Sequence, residues 1–394
     1  MSEPTVDADQ WPRRKLRVGV VFGGRSGEHE VSLISARGIM QAIDRDKYEV
    51  VPIGITKEGR WITGGDPLRL LSEAVDLARI LQPGEAAAAC DVSGEAAHTL
   101  HVPMAPRDLV TNTQASLQRL DVVFPVLHGT FGEDGTIQGF LELTDLPYVG
   151  AGVTASAMGM DKVASKAVFS AYGLPILPYR MVLRRTWEAY PEQVLAECEA
   201  AFNYPMFTKP ANLGSSVGVT KAHQRSELVD GLNEAARYDR KLIVEQGIEA
   251  REIEVSVLGN DDPIVSVPGE IIPSREFYSY AAKYLDSASQ LLIPAPLTAE
   301  QTQLVQQLAL QAYAALDCAG MARVDFLMDK HTEQIWLNEL NTIPGFTPIS
   351  MYPKLWEASG ISYSELIDRL IQLAIERYED RKRSATSFDV GRAT

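Results

Sequence analysis

The sequence predicts an α/β fold of two or three packed lobes, on three observations. Short β-branched runs such as Arg17–Phe22 (RVGVVF) and Lys241–Gln246 (KLIVEQ) alternate with amphipathic helical stretches along the whole chain, the pattern of sheets covered by helices. At 394 residues and 45% hydrophobic content, the chain is past the size at which one core keeps growing. Polar, glycine-bearing loops follow several strands, where α/β sheets place their ligands. No internal repeat is visible.

The elements follow in order. After a frayed leader, Arg17–Phe22 reads as a buried strand, followed by the turn Gly23–Gly27, an amphipathic helix over about 28–43 and a second strand at Tyr48–Ile55. This is a βαβ start with a glycine turn at a helix N-terminus, where unpaired amides and the helix dipole favour anions. The spacing Gly23-Gly24-x-x-Gly27 departs from the G-x-G-x-x-G dinucleotide fingerprint. From 64 to about 116 the alanine run Ala86–Ala89, scattered Gly and Pro and weak periodicity predict an irregular insertion with no assignable function. Regular signal returns with a strand at Asp121–Leu127, the polar loop His128–Gly135, a helix through Leu143 and a strand at Pro147–Gly150.

A second unit begins near Ala151, with a helix bearing Met160-Asp161-Lys162 and a break at Gly173-Leu174-Pro175. Tyr204–Lys209 and Gly218–Ala222 read as strands joined by Pro210–Val217, and Lys241–Gln246 leads into the alternating run Arg251–Val257. A polar, aromatic stretch over 275–290 precedes a long helix at Thr298–Leu316, a hairpin of Ala322–Leu327 with Ile335–Asn341, and a last helix at about 362–378. The expected organisation is a leader over 1–15, an N-terminal α/β domain over 16–150, a central domain over 151–247, a C-terminal domain over 248–380 and a charged tail over 381–394. Leader and tail have the composition of disordered segments.

The formal net charge of −15 argues against a nucleic-acid surface, which needs basic stripes. It suits a small anionic substrate drawn into a local positive pocket. Cys90, Cys198 and Cys318 are far apart and form no CxxC pair, which speaks against a disulfide framework or zinc site. No secretory signal is visible in Met1–Gln10, and no apolar run is long enough to span a bilayer. A reducing, cytoplasmic location is the default expectation.

The most informative chemistry lies in the hairpin near the C-terminus. Side chains alternate along a strand, so Arg323 and Asp325 share one face, as do Glu339 and Asn341, while Val324 and Leu340 turn inward. Two carboxylates and an amide oxygen are hard donors of the kind Mg²⁺ takes when phosphates complete its octahedron, and an arginine suits a phosphoryl group in transit. The loop Gly214–Gly218 joins two strands and lacks a Gly-Lys-Ser or Gly-Lys-Thr ending, so it is no Walker A loop. As a flap it can still lay amides and Ser215 or Ser216 over phosphates beside Lys209. Backbone edges at the Glu245-Gln246-Gly247-Ile248 hinge can pair with an adenine, and Glu252 can accept from ribose hydroxyls.

Taken in order, GGRSGEHEVS, HGTFGEDGTIQG, MDK, KPANLGSSVGV, VEQ with REIEV, YSYAAKYLD, ARVDF and NELNTIPGFTPIS resemble the D-alanine:D-alanine ligases of the ATP-grasp superfamily, from about Lys15 to Glu376. The resemblance implies an ATP-grasp fold of three lobes, with the nucleotide held between the central and C-terminal α+β domains. It implies that Lys162, Lys209, Ser215 and Ser216 hold or cover the ATP phosphates. Glu245, Gln246 and Ile248 would line the adenine and Glu252 would bind ribose, with Asn338 and Glu339 also near the nucleotide. Asp325, Glu339 and Asn341 would coordinate two Mg²⁺ ions, with Mn²⁺ as a substitute. Glu28, helped by His128, would orient the amino group of the first D-alanine, and Arg323 with the Gly345 amide would form the oxyanion pocket. Ser350 and Met351 would receive the second D-alanine carboxylate, and Lys283 and Tyr284 would belong to a loop that closes the site. Gln246 stands where ligases of this kind carry lysine; that contact can be made by backbone. The implied reaction joins two D-alanines through an acyl phosphate for peptidoglycan precursors, in a homodimer formed by the N-terminal lobe. Tyr284 is linked in the family to D-alanine as second substrate, the alternatives being D-lactate or D-serine.

Overall fold

The computed structural model describes residues 14–74, 98–99, 120–272, 290–347 and 349–385. Lys283 and Tyr284, nearly all of the 275–290 stretch, most of the 64–116 insertion and most of the leader lie outside the described residues.

Three sheets organise the chain. The first runs β4-β3-β2-β1-β5, with β1 (Leu16–Gly23) parallel to both β2 (Tyr48–Ile55) and β5 (Val122–Val126). β1 is buried over Val18–Phe22, as expected of a central parallel strand covered on both faces. β3 (Trp61–Thr63) and β4 (His98–Thr99) extend the edge, and a helix forms over Pro67–Ala74. The segment expected to be irregular is thus partly ordered, because Leu71 buries its side chain against Gly54 of β2. The expected strand at Pro147–Gly150 reduces to a single bridge, Val123 to Tyr148.

The sheet β6-β9-β7-β8 is antiparallel: β6 (Tyr179–Leu183), β9 (Lys241–Gln246), β7 (Met206–Pro210) and β8 (Thr220–Ala222). Met206, Leu242 and Val244 pack on the helix side with Leu228 and Leu232. Alternation then turns Phe207, Lys209, Ile243 and Glu245 to the opposite face. β7 starts two residues later than the sequence suggests, because Pro205 has no amide to give the ladder. The expected helix through Met160-Asp161-Lys162 is broken at Asp161, which caps the helix Lys162–Ala171 by accepting from the amides of Val163 and Ala164 at 3.0 and 3.1 Å.

The third sheet comprises β10 (Ala250–Gly259), β11 (Ile264–Val265), β12 (Gly269–Ile272), β13 (Gln290–Leu292), β14 (Gly320–Asp329) and β15 (Ile335–Asn341). It runs β13-β12-β10-β14-β15 with β11 paired to β10, and β10 is antiparallel to β14 and β14 to β15. Its inner face, Ile253, Val255, Val324, Phe326, Leu337 and Leu340, packs on the helix Ala299–Ala315. The hairpin contains a bulge: Asp325 pairs with Glu339 but Phe326 with Leu337, leaving Asn338 as the extra residue. The bulge lets Leu337 and Leu340, three apart in sequence, both be buried. The last helix, Tyr363–Lys382, runs past the expected end at Tyr378 and buries Ile367, Leu370 and Ile371 fully against the first sheet. Each such side chain contributes about 1.5–3 kcal/mol, which ties the C-terminus to the N-terminal lobe.

Candidate active site

The hairpin gathers the expected cluster. Arg323 faces Asn341 and Asp325 faces Glu339 across the β14–β15 ladder. The Arg323 guanidinium donates to both Asp325 carboxylate oxygens at 2.7 Å, and Asn341 donates its side-chain amide to Asp325 at 2.9 Å. The Arg323 Nε also lies 3.0 Å from Glu254 on β10. Burial works against the Arg323 charge, but Asp325 and Glu254 outweigh it and keep the guanidinium charged. Among the described residues no group of three His, Cys, Asp or Glu side chains is preformed for a metal. The donor set is two carboxylates and an amide, Asp325, Glu339 and Asn341, and these hard oxygens fit Mg²⁺ completed by phosphate and water.

Three lysines and Glu245 connect this cluster to the second sheet. Lys162 donates to the carbonyl of Leu213 at 2.9 Å, at the base of the flap, and its ammonium lies 3.4 Å from Glu339. Lys209 contacts one oxygen of Glu245 at 2.5 Å, and Lys166 contacts the other at 2.7 Å. Glu245 and Lys166 are 2% and 1% exposed, so each charge survives only through its partner. Burial raises the Glu245 pKa, yet the two lysines outweigh it and hold it at about 2. Burial lowers the Lys166 pKa against the pull of Glu245, whereas at Lys209 the attraction of Glu245 wins over burial and raises it. The Glu245 carboxylate is therefore committed to lysines, which leaves the backbone of the hinge as the part of Glu245 free to line an adenine. Gln246 faces the other way: it accepts from the Asn203 amide at 3.0 Å and donates to the Gly247 carbonyl at 2.8 Å. Ile248 follows at the hinge, half-buried, and Glu252 lies on the cleft face of β10 opposite Leu327.

The flap between β7 and β8 closes over the first lobe. The Ser215 hydroxyl donates to the Glu28 carboxylate across 187 residues of sequence. Ser215 and Ser216 both have positive φ, 49° and 57°, a conformation that costs a serine roughly 1 kcal/mol or more and holds the flap in a tight turn. Gly129 has φ +75°, and a Cβ there would sit 2.7 Å from the Glu28 carboxylate. A side chain at Gly129 would press on the Glu28 carboxylate that Ser215 contacts.

His128 is fully enclosed, and burial lowers its pKa. A carbonyl can only accept, so the ring N–H is on Nδ1, donating to Ile343 O at 3.0 Å, and Nε2 accepts from Ser35 at 3.0 Å. Both ring nitrogens are thus occupied, one by Ser35 and one by the Ile343 carbonyl of the loop after β15. That loop is further pinned by the Phe346 amide donating to Ser35 at 3.3 Å and by Tyr363 donating to the Phe346 carbonyl at 2.7 Å. The Glu133 carboxylate accepts from the Gly129 and Ile343 amides at 2.7 and 3.2 Å. Burial and then the Glu28 charge raise its pKa. Ser350 accepts from the Thr347 amide at 3.0 Å and shares a 2.7 Å hydrogen bond with the Thr347 hydroxyl. A Cβ on Gly345 would meet the Ser350 hydroxyl at 2.8 Å, so the loop closes around a bare glycine. The Met351 side chain is buried with Ile271 and Leu355; only its backbone, at the start of the helix Met351–Ala358, is available to a carboxylate.

Sequence reasoning passed over Lys166, Glu254, Glu133 and Ser35. Lys166 lies four residues after Lys162, hence on the same helix face, and Glu254 lies two after Glu252, hence on the same strand face; either spacing is a usable signal.

Family models described as D-ala D-ala ligase N-terminus and C-terminus match residues 17–151 and 168–372. The D-alanine--D-alanine ligase of Heliobacterium modesticaldum is 51% identical over 374 residues, covering 94% of this chain and 98% of that protein. Among solved structures, the D-alanine-D-alanine ligase from Coxiella burnetii aligns with TM-score 0.73 at 36% identity, covering 94% of this chain and 96% of that one. The VanG D-Ala:D-Ser ligase from Enterococcus faecalis aligns with TM-score 0.75 at 34% identity, covering 92% and 100%. The expected ATP-grasp fold class stands on these likenesses, and with both family models matched across most of its length, this chain belongs to the D-alanine–D-alanine ligase family.

Proposed function

We propose that the protein joins two D-alanine molecules into D-alanyl-D-alanine at the expense of ATP, by way of an acyl phosphate, to supply peptidoglycan precursors. A carboxylate is a poor electrophile, and phosphorylation gives it a leaving group. The observation that supports this reading most is the convergence of Arg323, Asp325, Glu339 and Asn341 beside Lys162, with the serine-bearing flap drawn onto Glu28.

The chain's residues would act mainly by positioning and charge stabilisation. Lys162 and Lys209 meet the nucleotide phosphates, with Lys209 shared with Glu245; Ser215 and Ser216 cover them. Glu28 orients the ammonium of the first D-alanine, and Arg323 with the Gly345 amide meets the oxyanion as the second amine attacks. Ser350 and the N-terminal amides of the helix Met351–Ala358 suit the second carboxylate. Asp325, Glu339 and Asn341 would hold Mg²⁺, which, when bound, offsets phosphoryl charge. The curated relative named above is called a D-alanine--D-alanine ligase, which favours D-alanine over D-lactate or D-serine as second substrate. A cytoplasmic homodimer fits the family; among the described residues no helix is long and apolar enough to cross a membrane.

The test is phosphate release from ATP and Mg²⁺ across D-alanine, D-lactate, D-serine and L-alanine. D-Alanine alone should stimulate release, with dipeptide formed in step. Stimulation by L-alanine, or release without dipeptide, would overturn the assignment.

A further inference from the structure

We propose that Glu254 is a positioning residue that keeps Arg323 in place when a divalent cation draws Asp325 away from it. The inference rests on the reading of Asp325 as a metal ligand.

Glu254 and Asp325 are directly opposed on β10 and β14, so their side chains share one face a few ångströms apart. Two carboxylates so placed repel unless a cation joins them. Arg323 is that cation: it donates to both oxygens of Asp325 at 2.7 Å, and its Nε lies 3.0 Å from Glu254. The Asp325 oxygen that takes the Arg323 Nη2 also takes Asn341 at 2.9 Å. A divalent cation at Asp325 competes with the guanidinium for these same oxygens, because a carboxylate has few lone-pair sites. As the cation gains Asp325, Arg323 loses both of its hydrogen bonds to it. Without a second anion the long, flexible arginine would leave the site. Glu254, 6% exposed, is the anion that remains, and it holds the guanidinium while its other donors, of five in all, turn to a substrate carboxylate or oxyanion. One arginine thus exchanges partners, and the acid on β10 determines where it stays.

Simple charge proximity makes the opposite prediction for the substrate. Removing a negative charge beside Arg323 should strengthen the binding of an amino acid carboxylate; removing a tether should weaken it, and only when the cation has taken Asp325. The experiment measures D-alanine binding by calorimetry to the full chain with a non-hydrolysable ATP analogue, with and without Mn²⁺, and Mn²⁺ binding itself by electron paramagnetic resonance. Glu254→Gln is isosteric, and its unfolding midpoint is checked alongside. With Mn²⁺ present, Glu254→Gln should bind D-alanine about tenfold more weakly, the scale of one charged hydrogen bond, and without Mn²⁺ the change should stay below about twofold. Glu254→Asp, which keeps the charge one methylene short, should show a smaller loss with the same Mn²⁺ dependence, and it serves if Glu254→Gln does not fold. Unchanged or tighter D-alanine binding in both variants with Mn²⁺ present overturns the tether. Asp325→Asn separates the two readings. If it leaves Mn²⁺ binding intact, the metal reading fails and the inference with it. If it abolishes Mn²⁺ binding while Glu254→Gln behaves as wild type, the tether alone fails.

Discussion

Glu245→Gln removes one charge from the buried trio Lys166–Glu245–Lys209 without changing its shape. In the wild type the carboxylate lies 2.7 Å from Lys166 and 2.5 Å from Lys209, and its pKa is held at about 2. The ordinary glutamate value is about 4.3, so the ionised Glu245 carboxylate contributes on the order of 3 kcal/mol above that pH, lost as pH falls through the folded value, while the lowered pKa of Lys166 works against it. In the variant the enclosed Lys166 loses its contacting anion and keeps only the more distant charge of Glu339. Breaking a buried pair by removing one partner costs about 3–5 kcal/mol. A ceiling applies, because the lysine can release its proton: with an ordinary pKa of about 10.4, a neutral lysine at about pH 7 costs at most roughly 4.6 kcal/mol. The expected loss near neutral pH is therefore about 3 to 4.6 kcal/mol. It carries a pH signature. Between the depressed folded pKa of Lys166 and about 10.4 the unfolded chain binds more protons, so the variant regains stability as pH rises, by up to about 1.4 kcal/mol per unit relative to wild type. Hydrogen exchange of the β9 amides, corrected for intrinsic rates, reads this locally. A loss below about 1 kcal/mol, or a loss equal at about pH 7 and about pH 9, would refute the view that Lys166 is charged only because of Glu245.

Three further outcomes follow from the geometry. Arg323→Ala should retain binding of an ATP analogue but lower kcat by at least about a hundredfold, since a donor aimed at developing charge is typically worth that much; stopped-flow turnover with parallel nucleotide titration checks it. Ser215→Ala removes the hydrogen bond between the flap and Glu28 and should lower kcat/KM for D-alanine by about tenfold, the worth of a hydrogen bond to a charged group, with little change in thermal midpoint. Gly132→Ala would place a Cβ 1.9 Å from the Leu127 carbonyl oxygen; backbone must shift, and a destabilisation of roughly 1–3 kcal/mol or more is expected in thermal unfolding.

Much of this arrangement is legible in the sequence because strand periodicity fixes faces. Arg323, Asp325, Glu339 and Asn341 fall together by alternation alone, and the bulge at Asn338 preserves the outcome although alternation does not foresee it. Tyr48–Ile55 and Lys241–Gln246 match the observed strands residue for residue, since apolar runs bounded by turns leave little latitude. What was missed depends on tertiary partners. Lys166 has a helix-face signal, but its burial is set by a glutamate about eighty residues away. His128 follows its strand in a polar loop, and alternation gives no sign that Ser35 and Ile343 occupy both of its nitrogens. The burial of the Met351 side chain is likewise tertiary: Gly269 leaves room for its sulfur, which lies 2.9 Å from where a Cβ would be. The Pro147–Gly150 run was too short to pair fully.

The most direct measurement is isotope transfer. D-Alanine labelled with ¹⁸O in its carboxyl group, incubated with the protein, ATP and Mg²⁺, should yield inorganic phosphate bearing one ¹⁸O per dipeptide, because the carboxylate oxygen that attacks the γ-phosphorus leaves with the phosphate when the amine attacks the acyl carbon. Phosphate free of label, formed at the same rate as dipeptide, would mean that the carboxylate is never phosphorylated, and would contradict the role assigned to the cluster around Arg323 and Asp325.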